Sequence, residues 1–345
     1  MRMCCWLFKV SASQGGRSDI YPARELPWQP GGKLHHLSCL TVQQDMKIGY
    51  PCINRTIGCK GDRSFRLASY SDERLAATIK NNLDCLLTVL RWNVEHRIFF
   101  FRITSDLIPF ASHPVCTFPW QERFASEFRS IGQFIRNYEV RISMHPDQFV
   151  LLNSPDHGVV ERSLQELIYH SEVLNLLDLD RTAKFQLHVG GMYGDRERSI
   201  QRFVKMVSSL DEQILRHLVI ENDEKLYSVA DCFGVFEKTG LPILIDIFHH
   251  TCLNHGEDLQ DLLTKVAYTW RREDGIPMAD YSSQHPSKRT GSHAETLNEE
   301  GFRNFLVASY PHNMDLMLEI KDKERSALRA VELASLDTRF YDGRA

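Results

Sequence analysis

Carboxylates and imidazoles recur at the ends of short apolar runs along this chain. In Leu241-Pro-Ile-Leu-Ile-Asp-Ile-Phe-His-His250 an isoleucine-rich run, Pro242 to Ile247, is interrupted by Asp246, and His249 follows three residues later. A carboxylate inside an apolar run is unfavourable unless it is ion-paired or bound to a metal. Other runs end in the same way: His145 follows Val140–Met144, His188 lies at the end of Ala183–Val189, and Glu221 follows Leu218–Ile220. Asp280 and Glu319 close two later runs, while Tyr50 and Arg102 end the first two. His113 and His293 stand in intervening loops. Imidazole with carboxylate suits Zn²⁺ or Mn²⁺. The nine candidate metal ligands are His113, His145, His188, Glu221, Asp246, His249, Asp280, His293 and Glu319. They exceed one coordination shell, so two or three divalent ions are expected. Each residue alone has a plain structural reading, a turn or an ion pair, but uncompensated carboxylates do not crowd together at low energy. Clustered ions with carboxylate ligands suit phosphodiester hydrolysis, in which they generate a hydroxide and stabilise the leaving oxygen.

The elements that must position these groups alternate regularly. Strands are expected at 47–50, 98–103, 140–144, 183–189, 218–220, 242–247, 276–281 and 314–320. Between them lie helical patterns: from Ser71-Asp-Glu-Arg74 onward through Leu75, Ile79, Leu83, Leu86 and Leu90, then at 120–138, 159–177, 200–210, 229–238, 259–270, 299–309 and 324–336. Eight strands each followed by a helix predict an α/β fold of the (β/α)8 TIM-barrel type, with the active site at the C-terminal face of the strands. A doubly wound open sheet is the competing arrangement. Residues 46–337 form the expected barrel domain and 338–345 a C-terminal tail. Residues 1–45 carry no periodicity and are expected to be a disordered extension or to precede the true start at Met46.

Composition narrows the partners. Of 345 residues, 43% are hydrophobic and 25% charged, and no apolar run reaches the ~18 residues of a membrane span. Nine cysteines without a C-x-x-C pair argue against a disulfide framework or a cysteine-rich zinc site and for a reducing cytoplasm. With a net charge of −4, a polyanion would have to be met by bound cations or local basic patches. Two loops offer such patches: Asn54, Arg55, Lys60, Arg63 and Arg66 around Phe65, and His285, Lys288 and Arg289. Solvated charged loops are the plain alternative. Gln148 and Phe149 pair an amide with a ring fit to enter a base stack.

These motifs resemble the ultraviolet damage endonuclease family. The matching stretches include Gly49-Tyr-Pro-Cys-Ile-Asn54, Phe101-Arg-Ile103, Ser143-Met-His-Pro-Asp-Gln-Phe149, Leu187-His-Val-Gly-Gly191, Glu221-Asn-Asp-Glu224, Asp246-Ile-Phe-His-His250, Tyr281-Ser-Ser-Gln284 and Glu319-Ile-Lys321. The resemblance implies a metal-clustered barrel, activated by Mn²⁺ before Zn²⁺ or Mg²⁺. It implies that ultraviolet-damaged double-stranded DNA is nicked 5′ to cyclobutane dimers, 6-4 photoproducts and often abasic sites, leaving a 3′-hydroxyl and a 5′-phosphate. By motif, eight of the nine residues, all but Asp280, match metal ligands, and Tyr50, Asn54, Gln148 and Phe149 match residues that probe the damaged bases. Lys288 and Arg289 are expected to hold phosphates. In the catalytic assignment Glu221 bridges two ions, while Asp246 and Glu319 bind and orient the attacking water. Three departures stand out: Asp280 replaces a histidine, Met278 a lysine that becomes carboxylated, and Phe149 a tyrosine, each seen in some members. A monomer with no obligate protein partner and no membrane contact is expected. A metal-dependent sugar isomerase or epimerase on the same barrel is the alternative activity.

Overall fold

The computed structural model describes residues 45–343. Eight parallel strands close into a barrel in sequence order: β1 Ile48–Pro51, β2 Phe100–Ile103, β3 Arg141–Met144, β4 Lys184–His188, β5 Leu218–Glu221, β6 Ile243–Asp246, β7 Met278–Tyr281 and β8 Asp315–Leu318. The barrel closes by pairing Ile48 with Leu316 and Gly49 with Met317. The helices are α1 Asp72–Glu95, α2 Trp120–Arg123, α3 Ala125–Asn137, α4 His157–Leu176, α5 Arg196–Val207, α6 Glu212–Leu215, α7 Val229–Thr239, α8 Ile247–Cys252, α9 Leu259–Thr269, α10 Glu299–Ser309 and α11 Glu324–Ala334. The closed parallel sheet excludes the doubly wound alternative.

Local chemistry fixes the elements. Ser71 caps α1 by accepting from the Arg74 N–H at 3.2 Å, and Asp72 and Glu73 complement the positive end of the helix dipole. The stripe Leu75, Ile79, Leu83, Leu86 and Leu90 is buried. Ser228 and Asp231 form a capping box at the start of α7, and Gly240 ends it at φ +71°. Gly49 is needed for close approach. A Cβ there would lie 2.0 Å from the Phe100 carbonyl oxygen, so only glycine lets β1 close against β2 in this register.

Because strand residues alternate between faces, every second side chain points into the barrel. At the N-terminal end lie two ion pairs, Lys184 Nζ with Asp274 Oδ1 at 2.5 Å and Arg141 Nη1 with Asp315 Oδ2 at 3.5 Å. Above them Phe100, Val219, Leu244, Met278 and Met317 form an apolar plug. Next come Arg102, Ser143, Gln186 and Asp280, all buried. The candidate ligands follow at the C-terminal mouth.

Several expectations need correction. The sixth strand stops at Asp246, not Ile247, and α8 begins at once, because the Asp246 side chain caps it. The helix expected over 120–138 is split at Phe124. The expected tail does not leave the barrel at 337. Met46 N–H donates to Arg339 O at 2.9 Å, Tyr341 N–H donates to Met46 O at 3.0 Å, and Arg339 is fully buried. Cys59 and Cys85 form a disulfide tying the β1–α1 loop to α1, a bridge that the expected reducing cytoplasm does not favour. The extension expected over residues 1–45 lies, but for Asp45, outside the described residues. Among those described, no helix is long and apolar enough to cross a membrane.

A candidate metal-binding active site

Glu221 stands at the centre of the mouth, at the end of β5 and 1% exposed. His145 Nε2 lies 3.2 Å and His188 Nε2 3.6 Å from its Oε2, while His249 Nδ1 lies 3.5 Å from its Oε1. The rings of His145, His188, His249 and His293 follow one another with centroids 5.4, 5.7 and 5.9 Å apart. His145 and His293 are oriented by their backbone: Nδ1 of His145 donates to Pro146 O at 2.9 Å, and Nδ1 of His293 to Glu319 O at 2.8 Å. These bonds fix the tautomers and leave each Nε2 lone pair on the carboxylate side. His249 Nδ1 lies 3.1 Å from Asn222 O and 3.4 Å from Asp246 Oδ2.

The Asp246-x-x-His249 spacing now has a cause. Asp246 is both the last residue of β6 and the cap of α8, its Oδ1 accepting from the His249 N–H at 2.7 Å. The cap holds the His249 ring over Glu221 and leaves Asp246 Oδ2 without a hydrogen bond, as is Glu221 Oε1. Two orphaned, buried carboxylate oxygens among imidazoles are unfavourable without a cation. The donor atoms form three sets: His145, His188 and Glu221; Glu221, Asp246 and His249; and Asp246, Asp280 and Glu319. Hard oxygens with imidazole nitrogens suit Mn²⁺, Zn²⁺ or Mg²⁺.

Electrostatics agree. Burial pushes Glu221 up, but His188, His145 and His249 outweigh it and hold its carboxyl well below the usual range. Burial raises Asp246 to about 7, with Glu221 and Glu319 adding to it against His249. Burial disfavours the His249 cation, yet Asp246 and Glu221 lift it to about 11. Glu319, pushed up by burial, is brought down to about 2 chiefly by Arg102.

The remaining expected residues divide. His293 belongs to the site, its Nε2 3.9 Å from Glu319 Oε2. His113 is exposed in the loop after β2, its Nδ1 accepting from the Val115 N–H at 3.0 Å, and it joins none of the three donor sets. Asp280 sits under the cluster, but both its oxygens accept from Arg102 Nη2, at 2.7 and 2.8 Å. Tyr50, expected to probe bases, is 0% exposed. Its hydroxyl donates to Asn93 Oδ1 at 2.7 Å and accepts from Asn54 Nδ2 at 2.9 Å. Asn54, also buried, accepts from the Thr56 N–H, so this pair shapes the β1–α1 loop and cannot stack on a base from here. Gln148 and Phe149 are exposed at the mouth, Phe149 by 72%. Phe149 and His113 share a groove of about 450 Å³. Lys288 and Arg289 are exposed, Lys288 pairing with Glu295 at 3.0 Å. Gln186 is a site residue that the sequence pattern does not single out: its Nε2 donates to Glu221 Oε2 at 2.8 Å and Asp280 Oδ2 at 2.6 Å. Its place two residues before His188 on an alternating strand is the signal that would have found it.

Comparison with known proteins fits this geometry. The family described as UV-endonuclease UvdE matches residues 46–340. A UV DNA damage endonuclease of Clostridium perfringens is 35% identical over 288 residues, covering 83% of this chain and 70% of that protein. One from Bacillus thuringiensis subsp. konkukian is 31% identical over 268 residues, covering 77% and 84%. The crystal structure of SacUVDE superposes with a TM-score of 0.81 at 44% identity, over 84% of this chain and 98% of that one. A 3-keto-D-glucoside 4-epimerase of E. coli, with a TM-score of 0.50 at 10% identity over 84% of this chain and all of that one, shares the fold alone.

Proposed function

The chain belongs to the UV-endonuclease UvdE family, and on that premise we propose that it is a metal-dependent repair endonuclease hydrolysing the phosphodiester bond immediately 5′ to ultraviolet photolesions. Cyclobutane pyrimidine dimers and 6-4 photoproducts are the proposed substrates, with abasic sites a further one, in double-stranded DNA. The products are a 3′-hydroxyl and a 5′-phosphate, and the working unit is a monomer that needs no protein partner. The observation that carries this reading is the pair of buried oxygens without a hydrogen bond, Glu221 Oε1 and Asp246 Oδ2, both beside His249 in a mouth that also holds His145, His188 and His293.

Two or three divalent ions held here, Mn²⁺ first, would supply an activated water and charge stabilisation at phosphorus. The chain's own residues do the rest. Glu221, shared by two donor sets, holds the site together, and Asp246 and Glu319 would bind and orient the attacking water. Arg102 keeps the Glu319 carboxylate oriented. Phe149 offers a face for stacking and Gln148 an amide for hydrogen bonds where the duplex is already unstacked by the lesion. Arg55, Lys60, Arg63, Arg66, Lys288 and Arg289, all exposed, are the proposed phosphate contacts. The free-sugar alternative would need a small closed pocket, and an exposed Phe149 ring with exposed basic residues in the mouth loops does not favour it.

A plasmid assay tests the reading. Supercoiled plasmid, irradiated or not, is incubated with protein and Mn²⁺ or EDTA. Open circles are expected only with irradiated DNA and Mn²⁺, and end-labelled duplexes carrying one lesion should show the 5′ nick. Metal-loaded, folded protein that leaves irradiated plasmid supercoiled would sink it.

A further inference from the structure

The floor of the site is built around a guanidinium. Arg102, 2% exposed, donates through Nη1 to Glu319 and through Nη2 to both oxygens of Asp280, at 2.7 and 2.8 Å. Nη2 also meets Gln186 Oε1 at 2.6 Å, and Nε reaches Ser143 Oγ at 3.3 Å. A guanidinium only donates, so it dictates the Gln186 amide: the oxygen faces Arg102 and the NH₂ must face the carboxylates of Glu221 and Asp280. Both oxygens of Asp280 are therefore occupied from within the protein.

The three donor sets are not equivalent in this light. Glu221 gives both sets that contain it an orphaned oxygen, Oε1, whereas the only such oxygen in the third set, among the described residues, is Oδ2 of Asp246, which that set shares with the second. Among the described residues, Asp280 leaves no such atom. The third set, Asp246, Asp280 and Glu319, is the one the guanidinium reaches. Charge points the same way. Glu221, Asp246, Asp280 and Glu319 with Arg102 carry three net negative charges when ionised. Two divalent ions convert that to a single positive charge, which the single negative charge of a phosphodiester matches. A third ion would leave three positive charges, in excess of the single charge of a phosphodiester.

We propose that Arg102 is a built-in cation of this centre: its guanidinium takes the place of an ion beside Asp280 and Glu319, so that the chain holds two divalent ions, and Asp280 is a partner of Arg102 and not a ligand. The inference rests on the metal-dependent reading above and specifies its metal complement.

The test is a metal count. Protein freed of metal is equilibrated with excess Mn²⁺, desalted, and assayed for manganese by mass spectrometry against protein concentration. Two ions per chain are expected for the unmodified protein and for Asp280→Asn. Any other count on either protein overturns the proposal, and loss of an ion on Asp280→Asn would make Asp280 a ligand. Arg102→Met frees two carboxylates and is expected to bind a third ion, whereas Arg102→Lys keeps the charge and stays at two. A folded Arg102→Met protein that still binds two would also overturn it. If Arg102→Met does not fold, the first two counts decide. A two-ion protein that fails to nick irradiated plasmid removes the functional reading alone, and a three-ion protein that nicks removes this inference alone.

Discussion

At the scale of single residues, the site depends on what is left unpaired. Glu221 is held low by imidazoles and yet keeps one oxygen free. Glu221→Gln is expected to reduce nicking by at least about 10³-fold, since a neutral amide no longer holds the ions that activate water and stabilise charge. Its circular dichroism should match that of the parent, and a folded Glu221→Gln protein with normal nicking would reject the assignment. The same variant separates metal binding from turnover. At a hundred times Kd, Mn²⁺ should stabilise the parent by about 2.7 kcal/mol, read as a rise in Tm, and Glu221→Gln should lose most of that rise. Most of the charged and imidazole residues are legible in the sequence because they interrupt or end an apolar run, His113 and His293 in their loops being the exceptions. Gln186 is not, because a neutral amide in a strand carries no charge penalty that advertises it. Tyr50 misleads for the opposite reason. Its motif says where it lies in the chain, but only packing shows its hydroxyl spent on Asn93 and Asn54.

At the scale of elements, strand ends and the loops beyond them divide the work. The loop after β3 carries Phe149, exposed and unsupported by core packing. Phe149→Ala should weaken binding of a lesion duplex by about 1–3 kcal/mol, the usual worth of one aromatic stacking contact, while Phe149→Tyr should retain it. Fluorescence anisotropy in a Glu221→Gln background measures this without cleavage, and equal affinities for Ala and Phe would remove Phe149 from recognition. β6 and α8 illustrate how a short spacing becomes geometry: Asp246 ends the strand, caps the helix and aims His249 in one stroke. The apolar run hides that junction, since Ile247 and Phe248 continue the hydrophobic pattern across it and periodicity cannot separate a strand from one helical turn. The β2 loop is the converse case. His113 matches a ligand by motif, but here its ring serves a local turn with Val115.

At the scale of the whole molecule, buried polar groups beneath the barrel set its stability. Arg339 donates to Asp337, to Ser309 Oγ and to the carbonyls of Leu306 and His312, closing the last turn of chain against the barrel. Arg339→Met should destabilise the fold by about 3 kcal/mol by leaving those acceptors unpaired, which urea melts would register; an unchanged midpoint would show that residues 338–341 are a tail after all. His217 is a pH-dependent element of the same kind. Its Nδ1 donates to Ala183 O and its Nε2 accepts from Arg216 Nε, an arrangement only the neutral ring can make. Burial lowers its pKa to about 4. Because the folded value lies below the unfolded ~6.5, this contribution is complete above about pH 6.5 and is lost as pH falls toward about 4. The stability difference between the parent and His217→Gln should therefore shrink by roughly 2–3 kcal/mol between about pH 7.5 and about pH 4.5, and a difference independent of pH would refute it. By itself the sequence determined the eightfold strand–helix alternation and the polar ends of the strands, because periodicity and misplaced charge are local properties of a chain. Tertiary structure alone decided which of those charges neutralise one another. Arg102 meets Asp280 and Glu319 from 178 and 217 residues away, and no local pattern records a partner brought in by barrel closure.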